Sequence, residues 1–358
     1  MNVPGVCSNR VEQFQRIARE WTFSQRVATD EDSMSIVSER AAGQDDRWER
    51  PDRPQAKKSK PIFRPFLRTV APWLGGLFLL AVIISAADWA LGWNLQVISR
   101  ARTVFAAVYL TNLIRYVVAA GGAFLLFYVV LRKTGWLTPI QKNLAAASDM
   151  RREVFYSIAS LAVFAGVGVL VYWGKVAGVL QFYYGGNPLT QPYFWFSVVA
   201  MIVIHDAWFY WTHRLLHTKL LYAKVHRIHH LSHNPTPWAA FAFHPVEAFV
   251  QAIVLPLTAI FMPMHPLTVI FWMLYMTGMN VFGHLGFELF PRWFLRSRLS
   301  NWHNTGVHHN MHHRCVSSNF GLYFNLWDQW FGTNHPDYHA EFERVTARRA
   351  NSASEDAD

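Results

Sequence analysis

The chain has 358 residues, a formal charge of +10, 52% hydrophobic and 16% aromatic residues, and only 16% charged residues. Positive mean hydropathy with so little charge argues against two soluble domains and for immersion in a membrane. Two distant cysteines, Cys7 and Cys315, exclude a disulfide framework and a zinc-finger pattern.

Residues 1–68 read as a polar, partly disordered leader, with Asp30, Glu31, Asp32, Asp45 and Asp46 set among arginines. Within it, Val11, Phe14, Ile17, Ala18 and Trp21 recur at helical spacing, a short amphipathic helix. No apolar stretch of the signal-peptide kind follows Met1. A basic run, Lys57, Lys58, Lys60, Arg64 and Arg68, leads into the first apolar block.

Residues 69–340 read as a membrane domain. The expected spans are 70–92, 106–131, 154–173 and 194–211, each near the ~20 residues that cross a bilayer. A pair at 247–263 and 266–287 follows, split by Met262-Pro263-Met264-His265-Pro266, which reads as a hairpin turn. The loop after the second span carries Arg132, Lys133, Lys142, Arg151 and Arg152, whereas the opposite loops carry only Arg100, Arg102 and Lys175. That bias puts the leader and the second loop in the cytoplasm. Four spans then bring the chain back to the cytoplasmic side near Trp211, where the histidines begin. Residues 341–358 read as a polar, solvated tail.

Seventeen histidines are about twice ordinary usage of roughly 2%. None precedes His205. The first cluster, His213 and His217, has the i, i+4 spacing that aims two imidazoles at one metal or at two adjacent ones. His205 and Asp206 lie about two turns earlier; Asp206 is expected to accept the free N–H of a ligand ring, and His205, off the stripe of Asp206 and His213, to stand behind the ligands or simply at the membrane interface. The second cluster, His226, His229 and His230, and the third, His309, His312 and His313, share the spacing i, i+3, i+4 that gathers three rings on one helix face. His308 precedes the third. His284 stands alone in an apolar segment, four residues after Asn280; an ionisable group there tends to face the bundle interior and carry function. Three clusters and His284 supply nine histidines, enough for two metals with coordination positions left open. His308 and Asn280 are further candidates. Imidazole suits iron, zinc, copper and nickel alike, so ligand type leaves the metal open.

The three clusters, with Asp206-Ala-Trp-Phe-Tyr-Trp-Thr-His213 and the segment from Asn319 through Asp328 and Gly332 to His335, resemble the fatty acid hydroxylase and sterol desaturase superfamily. The resemblance covers about residues 150–340. It implies an all-α, multi-pass transmembrane bundle with a cytoplasmic histidine-rich helical cap. It implies two iron ions, dioxygen as co-substrate, and hydroxylation or desaturation of a membrane lipid, sterol or fatty-acyl. No haem-binding module and no glycine-rich nucleotide fingerprint is present in the sequence, so an external ferredoxin or small cytochrome is the expected electron donor, and no nucleic-acid partner is expected. Two other classes compete. A metal carrier would string its ligands along the spans. A two-zinc hydrolase would usually include carboxylate ligands, and these clusters contain none.

Overall fold

A computed structural model describes residues 95–134 and 137–355. The leader, its amphipathic stretch and the expected span at 70–92 lie outside the described residues. Among the described residues the chain is helical, with three isolated bridges and no strand.

Among the described residues, four helices are long and apolar enough to cross a membrane. The first begins as α1 (Leu95–Tyr116) and runs to Val130 through two π-helical stretches, Val117–Gly121 and Leu125–Val130. It starts earlier than the expected 106, so Arg100 and Arg102 lie inside a helix rather than in a loop. Long basic side chains tolerate such helix-end positions by reaching toward the interface. The others are α2 (Ala147–Val176), α3 (Pro192–Leu216) and, later in the chain, α7 (Pro266–Gly283). Their outer faces carry apolar residues such as Val118, Phe196 and Leu274, each more than half exposed, a pattern that suits lipid rather than water. Helices α1 and α2 approach closely at Gly168: a Cβ built there would stand 2.8 Å from Val108. Small residues allow such approach where packing, not hydrophobicity, drives association.

The hairpin's first arm, Pro245–Phe261, lies two residues earlier than expected and is not continuous. It breaks into α5 (Pro245–Ala252) and α6 (Val254–Phe261), and the whole arm is too short to count among the four candidate spans. Pro256 lacks the N–H that would bond the carbonyl of Ala252, where the helix breaks.

The remaining elements form a cap. Helix α4 (Lys219–Lys224) and a 3₁₀ turn (His226–Leu231) follow α3. Helix α8 (Gly306–Cys315) starts at Thr305, whose Oγ1 accepts the N–H of His308, while Glu288 accepts the N–H of Val307. It ends on Val316, which adopts a left-handed conformation with φ 52°. After α9 (Leu326–Trp330), α10 (Tyr338–Glu355) occupies the stretch expected to be a solvated tail. Tyr338, Phe342 and Val345, at helical spacing, are buried against Ile140, Leu295, Val307 and Met311. The tail's charged residues hid this narrow apolar stripe.

Candidate metal centre

Nine histidines come from four places: His213 and His217 from the end of α3, three from the 3₁₀ turn, His284 from the residue capping α7, and three from α8. They fall into two groups. One holds His213, His217, His226, His230 and His312; the other holds His229, His284, His309 and His313. Within each group the ligating atoms lie within 4.8 Å of one another. The two groups touch: the rings of His230 and His313 are 4.8 Å apart and those of His309 and His312 are stacked at 5.6 Å.

The expected single helix face for the second cluster takes another form. The 226–231 segment is a 3₁₀ turn, and its three rings divide, His226 and His230 to one group and His229 to the other. The α8 cluster divides in the complementary sense: His309 and His313 join His229, and His312 joins His226 and His230. Each triplet therefore supplies an i, i+4 pair to one group and a single ring to the other.

The rings present Nε2 inward. His226 Nε2 stands 3.1 Å from His213 Nε2 and 3.0 Å from His230 Nε2, which is 3.1 Å from His312 Nε2. In the other group the Nε2 of His284 lies 3.1 to 3.3 Å from those of His229, His309 and His313. Two nitrogens bound at about 2.1 Å to one metal, at right angles, stand about 3.0 Å apart.

The outward nitrogens decide whether these contacts are hydrogen bonds or a cation cage. His213 Nδ1 lies 2.9 Å from the Phe320 carbonyl, His312 Nδ1 2.7 Å from the Ser318 carbonyl, and His284 Nδ1 2.7 Å from the Asn280 carbonyl. His226 Nδ1 lies 2.7 Å from Glu247 Oε1. A carbonyl only accepts, so Nδ1 of His213 carries the proton and Nε2 carries a bare lone pair. The same holds for His226 where Glu247 is ionised. Two bare lone pairs 3.1 Å apart repel, and a cation between them removes the conflict. The residues present fit a metal at this place.

Burial also keeps the rings neutral. It holds His284 down at about 4 and His217 at about 2. His226, His229, His230, His309, His312 and His313 are held well below the ordinary 6.5, by burial first and by their neighbouring histidines second.

Four expected residues sit elsewhere than the spacing suggested. His308 joins neither group; its Nε2 lies 3.3 Å from Asp328 Oδ2. At about 100° per residue, His309, His312 and His313 span an arc of about 100°, and His308 falls about 40° beyond it. The side chain of Asn280 donates to the Met276 carbonyl, and only its main-chain carbonyl reaches His284. Asp206 accepts no ligand N–H. It is two turns, about 10 Å, from His213, and instead accepts the N–H of Tyr323 and the indole N–H of Trp327. His205 pairs with the Tyr323 hydroxyl at 2.8 Å.

Asp206 and Asp328 together hold the strap between α8 and α9. Asp328 accepts the N–H groups of Phe320 and Gly321 and the Thr333 hydroxyl. Asn319, itself left-handed at φ 61°, donates to the His308 carbonyl and accepts the N–H of His335. The strap thus presents the Ser318 and Phe320 carbonyls to His312 and His213. Sequence reasoning missed Glu247. An acidic residue in an apolar segment was the available signal.

Residues 198–333 match the model of the fatty acid hydroxylase family. The chain is similar to the lathosterol oxidase of Mus musculus, 28% identical over 264 residues that make up 71% of this chain and 85% of that protein. It is similar to the Delta(7)-sterol 5(6)-desaturase ERG3B of Gibberella zeae, 27% identical over 187 residues, 52% of this chain and 56% of that protein. It also matches the C-4 methylsterol oxidase erg25 of Schizosaccharomyces pombe, 29% identical over 161 residues, 42% of this chain and 51% of that protein. No solved structure matches the chain.

Proposed function

Because this chain belongs to the fatty acid hydroxylase and sterol desaturase superfamily, we propose that it is an integral membrane oxidoreductase that holds two irons and uses dioxygen to hydroxylate or desaturate a lipid. The observation that carries the reading is the pair of touching, buried, all-histidine groups at the ends of apolar spans. His213, His217, His226, His230 and His312 would hold one iron, and His229, His284, His309 and His313 the other. Bound there, iron supplies the redox chemistry that an unactivated C–H bond requires and that acids, bases and nucleophiles lack.

The protein's own part is positioning and exclusion. The strap carbonyls fix ring orientation and tautomer. Burial keeps water from eight of the nine rings, and His217 is half-buried. Apolar outer faces let a bilayer-dissolved substrate reach the cap without leaving lipid. The named relatives act on sterols, which favours a sterol-class substrate. Hydroxylation inserts one oxygen atom and releases the other as water; desaturation removes two hydrogens and releases both oxygens as water. Either stoichiometry draws two electrons and two protons from outside, consistent with a separate ferredoxin or small cytochrome as donor. Basic residues Arg132, Lys133, Lys142, Arg151 and Arg152 favour a cytoplasmic cap.

The gathering of all nine histidines in two adjoining groups speaks against a carrier, whose ligands would mark a path. Detergent-purified protein is expected to contain about two irons per chain. On a total lipid extract it is expected to form, with dioxygen and a reductant, a product shifted by about +16 or −2 mass units. Absence of redox metal after reconstitution, with turnover independent of dioxygen, overturns the reading.

A further inference from the structure

The two groups differ in what stands behind their rings. In the four-histidine group the outward nitrogen of His284 meets a main-chain carbonyl, a neutral acceptor. In the five-histidine group His213 and His312 also meet carbonyls, but His226 meets the carboxylate of Glu247 at 2.7 Å, with both side chains at most 2% exposed. A carboxylate in that position is a stronger acceptor than a carbonyl and adds negative charge to the ring it holds.

Glu247 is built into its place. It sits in the first turn of α5, after His244, whose ring caps the helix by accepting the N–H of Val246. Helix α5 packs across α2 and α3, the helix that carries His213 and His217. Glu247 therefore reaches His226 from a helix rather than from a loop, whereas His226 stands at the start of a short 3₁₀ turn. Glu247 is 2% exposed and its Oε2 meets no hydrogen-bond partner, while Oε1 faces His226 Nδ1.

We propose that Glu247 is a positioning residue that fixes the Nδ1–H tautomer and the orientation of His226, and makes the five-histidine group the more electron-rich and tighter of the two metal sites. This rests on the dimetal reading above. The asymmetry assigns distinct roles to two sites that the sequence motifs alone present as equivalent.

The experiment is a chelator titration of iron-loaded, detergent-purified full-length protein, with the metal per chain followed by elemental analysis and the Mössbauer spectrum. The wild type is expected to release one metal before the other, with the four-histidine group emptying first. Glu247→Ala is expected to weaken the five-histidine group by about 10- to 100-fold and reverse that order. Glu247→Gln, which keeps an acceptor but not the charge, is expected to retain both metals with the spectrum of one site shifted. His309→Ala, on the other group, marks which signal belongs to which site. Wild-type protein that binds no iron overturns the dimetal reading itself. Two irons in the wild type with an unaltered release order and spectrum in both Glu247 variants overturns the inference. Equal loss of both metals in Glu247→Gln, with a lowered unfolding midpoint of the chelated protein, also overturns it, since that is the signature of a purely structural acid.

Discussion

His229 and His230 are neighbours in sequence, yet their rings stand at 89° to each other with centroids 5.6 Å apart and enter different groups. One consequence concerns double variants. Removing His229 and His230 together takes one ring from each group, while removing His226 and His230 takes two rings from the same group. The first pair is expected to deplete both metals; the second is expected to leave about one metal per chain. Elemental analysis of the two double variants checks this, and equal metal content in both contradicts the grouping. His339→Ala, on an exposed position of α10, is expected to change neither metal content nor activity and to shift stability by less than about 0.5 kcal/mol.

Asp206 ties α3 to the strap by accepting two N–H groups, those of Tyr323 and Trp327. Asp206→Ala leaves both donors buried without that acceptor, at a cost of about 1–3 kcal/mol for each unsatisfied group. The unfolding midpoint in detergent is expected to fall. Activity is expected to fall with it, because the same strap carries the Phe320 carbonyl that holds His213. An unchanged midpoint would mean that the strap is held elsewhere.

Val316 ends α8 in a left-handed conformation that a β-branched residue adopts at a cost of roughly 1–2 kcal/mol. Glycine relieves that strain but costs about 0.5–1 kcal/mol in unfolded-state entropy. Val316→Gly is therefore expected to raise stability by up to about 1 kcal/mol. Denaturant titration reads the sign; marked destabilisation would show that the Val316 side chain contributes packing that outweighs its backbone strain.

Metal-free protein is expected to lose stability in mild acid. The cap histidines titrate at 6.5 when unfolded and far lower when folded, with His284 at about 4. Below pH 6.5 the unfolded chain takes up protons that the folded chain refuses, so stability present above pH 6.5 declines as the pH falls toward 4. Glu288, pushed up to about 7 by burial, and Glu247, held well above the ordinary carboxylate range by burial, work in the opposite sense and lose their contribution as the pH rises, but they are fewer than the histidines. Melting of chelated protein at pH 7.5 and pH 5 measures the balance. Greater stability at pH 5 would contradict the dominance of the histidines.

Much of the architecture was legible from local pattern. Apolar runs of span length and the proline-marked turn at Met262–Pro266 place the four described helices, because a bilayer imposes a length and forbids unpaired backbone. Histidine spacing named the nine rings that the fold gathers, since i, i+3 and i, i+4 neighbours share a helix face. Neighbouring candidates were not separable by spacing. His308 adjoins His309 in sequence but turns to Asp328, and Asp206 shares a stripe with His213 but serves the strap.

The sequence by itself determined the helical class, the four described spans and the identity of the rings, because these depend on hydropathy and on residues within one turn of each other. Tertiary structure alone decided how the rings divide into five and four, and which carbonyls stand behind them. It also decided that Glu247, 21 residues after His226, backs only one group. Those choices depend on how helices and turns cross one another in space, and no local periodicity encodes a crossing.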